Sequence, residues 1–113
     1  MTIPDDFKHA FEFVQNKIHK TAKSKGWWDD PRNDGELIAL MHSELSEALE
    51  ALRDGNPPDD KIPEFSGLEA ELADVIIRIM DMAAARKLDV AGAILAKTKF
   101  NTGRKHKHGG KAF

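Results

Sequence analysis

Apolar side chains recur along this chain at the three- and four-residue spacing of α-helices, and no stretch reads convincingly as a strand. Phe7, Ala10, Phe11, Val14, Ile18 and Ala22 predict a first helix over residues 4–23. Pro4 suits its first turn and Gly26 ends it. A linker over 26–32 is rich in turn formers yet carries both tryptophans, Trp27 and Trp28. The second helix opens at a capping box, Asn33 with Glu36 three positions on, and stops before Gly55-Asn56-Pro57-Pro58. A loop then runs to Pro63. Ser66 and Glu69 form a second capping box and open a third helix that runs to about Lys87. Asp89 caps a fourth helix over 90–102, and the ending 103–113 is too rich in Gly and charge to be helical throughout.

The expected fold is therefore all-α, a four-helix bundle-like chain in one domain spanning 1–113. The third helix is apolar around most of its girth, more than a single chain of this length covers, so dimerisation is expected to complete the bundle. A length of 113 residues with 41% hydrophobic and 32% charged residues fits one globular domain and argues against disorder. With no Cys, disulfides and thiolate metal sites are excluded. No apolar run approaches the roughly 20 residues of a membrane span, and no secretory leader is evident, so a cytoplasmic protein without a membrane partner is expected. The formal net charge of -2 hides an asymmetry: all 19 acids lie at or before Asp89, and only bases follow it. Such a balance suits a polyanion, or a site where acids hold a cation and bases hold phosphate.

Several acids lie on faces where apolar residues belong. On the second helix, Leu37, Leu40, Met41, Ala48, Ala51 and Leu52 share one stripe, and Glu44 projects into its middle. Glu47 falls at the edge of that stripe and Glu50 points to solvent. The third helix leaves one narrow polar strip, Glu71, Asp74, Arg78 and Asp81. Each helix thus offers two acids at i, i+3, and an antiparallel hairpin would bring all four together. A carboxylate in an apolar stripe is costly unless paired or on a metal. An all-oxygen set favours Mg²⁺, with Mn²⁺ as the alternative, over zinc. The plainer reading is a salt bridge from Arg78 to Asp74, four residues apart. A carboxylate-bridged di-iron site would want Glu-x-x-His motifs, which are absent.

The paired motifs Glu44-Leu45-Ser46-Glu47 and Glu71-Leu72-Ala73-Asp74, with a final helix bearing Lys97 and Asn101, resemble the MazG-like all-α nucleoside triphosphate pyrophosphohydrolases. The ending from Lys99 to Arg104 and from His108 to Phe113 is also similar to that family, although Arg104-Lys105 stands where many relatives have Arg-Pro. The resemblance covers most of the chain from Gly26 onward. It implies Mg²⁺-dependent cleavage of a (deoxy)nucleoside triphosphate to the monophosphate and pyrophosphate. It also implies a homodimer or homotetramer in which helices of two chains build each site. Carried over by motif, Glu44, Glu47, Glu71 and Asp74 would hold metal, and Lys97, Asn101 and Arg104 would meet phosphates. Glu47 is the candidate base for the attacking water, and Trp27 or Trp28 could stack on the nucleobase. His42 is expected at the surface or an interface, and His106 and His108 in a flexible tail. Two rivals remain: a phosphoribosyl-ATP pyrophosphohydrolase-like enzyme, and a helical interaction module whose basic tail binds nucleic acid. The second leaves the buried acids unexplained, so nucleic acid is not the expected partner.

Overall fold

A computed structural model describes residues 2–103, and these are all-helical, with no strand among them. Four helices follow in order: α1 (Ile3–Ser24), α2 (Asp34–Arg53), α3 (Gly67–Arg86) and α4 (Val90–Thr102). Each lies within a residue or so of its predicted span. None is long and apolar enough to cross a membrane. The chain divides into two compact units, Gln15–Leu88 and one made by the residues on either side of it. The candidate metal ligands all fall in the first unit. His42 is exposed as expected, whereas His106 and His108 lie outside the described residues.

All three predicted N-caps form, but of the two expected capping boxes only that at α3 closes in both directions. At α2 the Glu36 backbone N–H donates to Asn33 Oδ1 at 2.8 Å. At α3 the capping box closes in both directions: Glu69 N–H donates to Ser66 Oγ and Ser66 N–H donates to Glu69 Oε1. Each satisfies N–H groups that the first helical turn cannot pair internally. The loop between α2 and α3 is fastened to the start of α3. Asn56, held at a positive φ of 52°, accepts from Leu68 N–H through its side chain at 2.9 Å, and Gly67 N–H donates to Pro57 O at 2.7 Å. Gly67 suits this close approach, because a Cβ would lie a tight 3.2 Å from that of Ala51 and 3.3 Å from Pro57 O.

This closure sets α2 antiparallel to α3, the most extensive helix packing in the molecule. Gly67 meets Ala51 at one end, Arg78 reaches Glu44 midway, and Arg86 donates to Asp34 at the other. The small residues Ala48, Ala70 and Ala83 are buried along with Leu37 and Met80, so the helices approach closely. The expected apolar faces are only partly covered. Leu37 and Ala48 are buried, but Leu52 on α2 and Leu72 and Ile76 on α3 stay close to half exposed. In the second unit, Asp89 caps α4 by accepting from Gly92 N–H and pairs with Lys8 at 3.2 Å.

The end of α3 generates a test. Lys87 adopts φ 56° and ψ 47°, while its N–H and that of Leu88 both reach Ala83 O. This is a Schellman-type ending whose left-handed residue favours glycine. Lys87→Gly should raise stability by about 1 kcal/mol, read as a higher urea midpoint with an unchanged m-value.

Candidate metal centre

Because α2 and α3 run antiparallel, the two i, i+3 acid pairs face each other across the helix seam. One oxygen each of Glu44, Glu47 and Glu71 lie within 4.8 Å of one another. Glu44 is buried at 8% exposure, Glu71 half-buried and Glu47 exposed, so the group grades from the packed seam toward solvent. Glu50, one turn further on the outer side, pairs with Arg53 on the surface. Asp74 stands outside the converging trio but lines the same cavity as Glu44.

Arg78 donates from Nε and Nη2 to a single oxygen of Glu44, Oε1, both at 2.9 Å. The salt bridge expected from Arg78 to Asp74 gives way to this one, made across the seam. The second oxygen of Glu44 and Oε2 of Glu71 are buried and accept no hydrogen bond. Buried carboxylate oxygens normally find a donor. Two such orphans within one cluster of carboxylates, a set made only of oxygens, fit a hard divalent cation such as Mg²⁺ or Mn²⁺.

Crowding of negative charge shifts the acids in different directions. Burial, together with the adjoining Glu44 and Glu47, pushes the Glu71 carboxyl up to about 7. Burial and the charge of Glu44 also raise Asp74. At Glu44 burial acts upward too, but the hydrogen bonds from Arg78 and the neighbouring carboxyls outweigh it and the net shift is downward. Arg78 is bonded to Glu44 and also draws Asp74 downward, but at Asp74 burial and the charge of Glu44 outweigh it, and Glu71 is left to the repulsion of its neighbours.

Beside the acids opens a cavity of about 540 Å³. Four cations line it: Lys17 and Lys25 from α1 and its end, Arg32 from the linker, and Arg78. Lys17 and Lys25 meet no carboxylate among the described residues, and the Arg32 guanidinium lies over the Trp28 ring at 4.9 Å. The two tryptophans separate. Trp28 turns inward and donates from Nε1 to both oxygens of Asp81 at 3.0 Å, beside His19, whose Nδ1 lies 2.7 Å from Asp81 Oδ1. Trp27 remains exposed and lines the cavity.

The sequence reading passed over Lys17, Lys25, Arg32 and His19. His19 follows Ile18 on the inward side of α1, and Asp81 ends the polar strip of α3; together those positions were the available signal. Lys17 and Lys25 flank the Ile18 and Ala22 stripe at i, i+8, whereas no period marks Arg32. Lys97 and Asn101 are exposed on α4, in the other compact unit, and Arg104 lies outside the described residues.

The Glu71 shift fixes how the metal-free protein responds to pH. The unfolded chain releases this proton near 4.5 and the folded chain near 7. Its stabilisation is therefore full below the lower value and lost as pH rises through the upper one. Asp74 acts in the same sense, whereas the lowered Glu44, Glu69 and Asp89 contribute above their ordinary values and lose stability as pH falls. Urea denaturation in EDTA should show stability falling from about pH 5 to about pH 7.5. Glu71→Gln should abolish most of that fall.

Comparison with known protein families, with characterised proteins and with solved structures finds no match to this chain.

Proposed function

We propose that this chain is a divalent-metal-dependent nucleoside triphosphate pyrophosphohydrolase of the MazG-like kind, which cleaves a (deoxy)nucleoside triphosphate to the monophosphate and pyrophosphate. The observation that carries this reading is the convergence of Glu44, Glu47 and Glu71, with two of their oxygens buried and unpaired, beside a cation-lined cavity. Acids for a cation and bases for phosphate thus lie together. A helical interaction module has no use for that pairing.

Glu44, Glu47 and Glu71 would hold the metal, with Asp74 next to them on the cavity wall. When bound, a divalent cation would neutralise polyphosphate charge and acidify a nearby water. The side chains supply the remainder. Glu47, the exposed member of the trio, is the one that solvent reaches. It accepts the proton as the water oxygen bonds to phosphorus and the bond to the departing phosphate oxygen breaks. Lys17, Lys25 and Arg32 draw the polyphosphate into the cavity. The resemblance adds Lys97, Asn101 and Arg104 as phosphate contacts. Trp27, exposed on the cavity wall with the Arg32 guanidinium 5.8 Å from its ring centre, offers its indole to a nucleobase.

The same reading includes a second copy of the chain. Leu52 at 50% and Ile76 at 51% exposure belong to apolar faces of α2 and α3 that the described residues leave half exposed, which supports a homodimer or homotetramer.

Two measurements test the proposal. A panel of nucleoside triphosphates should release pyrophosphate with Mg²⁺ and none in EDTA. Glu71→Gln should lower that turnover by at least about 100-fold while leaving a fold as stable or more so at neutral pH. Full turnover in EDTA, or in Glu71→Gln, would remove the metal site from the mechanism. Light scattering should report a dimer or larger, and Ile76→Asp should shift it toward monomer. A monodisperse wild-type monomer at micromolar concentration would end the oligomer reading.

A further inference from the structure

Among the described residues Arg78 is the only cation that hydrogen-bonds to the carboxylates of the cluster, and its pairing is incomplete on both sides. An arginine facing a carboxylate is strongest when its fork spans both oxygens. Here two N–H groups converge on Glu44 Oε1, while Oε2 of the same carboxylate is buried without a donor. Of the five N–H donors that a guanidinium carries, three find no partner among the described residues. The side chain also lines the cavity alongside Asp74 and Trp27, so it touches the space that a substrate would enter.

The charges make this arrangement exchangeable. With a divalent ion in place of the Glu71 proton, three carboxylates and one guanidinium carry a charge of about −2, which that one ion balances. Such an ion can approach Glu44 through the oxygen that Arg78 does not use. Once it is there, Arg78 faces a neutralised carboxylate and a neighbouring cation, and its hold on Glu44 weakens. A guanidinium cannot shed its charge by deprotonation, so it must find another anion. Phosphate oxygens in the adjoining cavity match its planar fork.

We propose that Arg78 is a phosphate-binding residue of this site, held on Glu44 until a divalent cation takes that carboxylate and then passed to the polyphosphate. The assignment rests on the pyrophosphohydrolase reading and adds to it an ordered sequence, cation before phosphate. It also gives Arg78 a role beyond that of a structural counter-ion.

The test uses the full chain with Mn²⁺ alone and inorganic pyrophosphate as probes, followed by calorimetry, with circular dichroism to confirm folding. Wild type should bind Mn²⁺, and should bind pyrophosphate in Mn²⁺ but not in EDTA. In Arg78→Gln, Mn²⁺ should bind as tightly or more tightly, since nothing competes for Glu44, while pyrophosphate affinity falls about 10- to 100-fold. Arg78→Lys keeps a charge on Glu44 and so guards against loss of the fold. It should keep Mn²⁺ binding and still lose about tenfold or more in pyrophosphate affinity, because an ammonium cannot reproduce the fork. Weakened Mn²⁺ binding with undiminished pyrophosphate affinity at the loaded site would make Arg78 a structural counter-ion and overturn this proposal alone. Failure of wild type to bind Mn²⁺ would overturn the metal site and this proposal with it.

Discussion

The contact between Arg78 and Glu44 sits at the midpoint of the α2–α3 seam, and much of the molecule is arranged around the charge it buries. A lone carboxylate there would be expensive, and removing either partner of a buried pair typically costs about 3–5 kcal/mol. The pair also leaves a residue of unmet demand. Glu71 is driven toward its neutral form, two oxygens lack donors, and Asp74 is raised in turn. An apolar seam of the same shape would be easier to build. The strain on these acids is the main physical reason to look for chemistry at this position.

Helix ends hold that seam in register. Ser66 and Glu69 fix where α3 begins, Gly67 lets it approach Ala51, and Asn56 ties the loop to its first turn. A shift of one residue in α3 would rotate Glu71 and Arg78 by about 100° and disperse the cluster. The site therefore depends on turn and cap chemistry some distance from it. The buried alanines bring the two backbones near enough for a glutamate and an arginine to meet.

Much of this was legible in the sequence, for identifiable reasons. Helix periodicity and capping residues are local, so all four helices and their starts could be read to within a residue or so. The unusual placement of Glu44 followed from projection on the helical wheel, and its burial agrees with that projection. The choice of partner for Arg78 was not local. An i, i+4 acid, Asp74, was available on the same helix, and the acid on the facing helix won because only it is buried enough to require a counter-ion. The cavity cations were illegible for a similar reason. Lys17 and Lys25 flank the Ile18 and Ala22 stripe at i, i+8, but nothing local says that this face borders a cavity, and Arg32 comes from a linker with no period.

The two neighbouring indoles have a separate consequence. Trp28 is held edge-on to His19 with its Nε1–H on Asp81 and guanidinium groups over its ring, whereas Trp27 is 56% exposed on the cavity wall. Adjacent in the chain, they differ sharply in solvent contact. With no tyrosine in the sequence, the intrinsic ultraviolet emission of the protein comes almost wholly from this pair. The long-wavelength part belongs to Trp27, which borders the cavity, and the half-buried Trp28, held on Asp81, provides an internal reference. The chain thus carries a two-component optical gauge of whether that space is filled, without any added label.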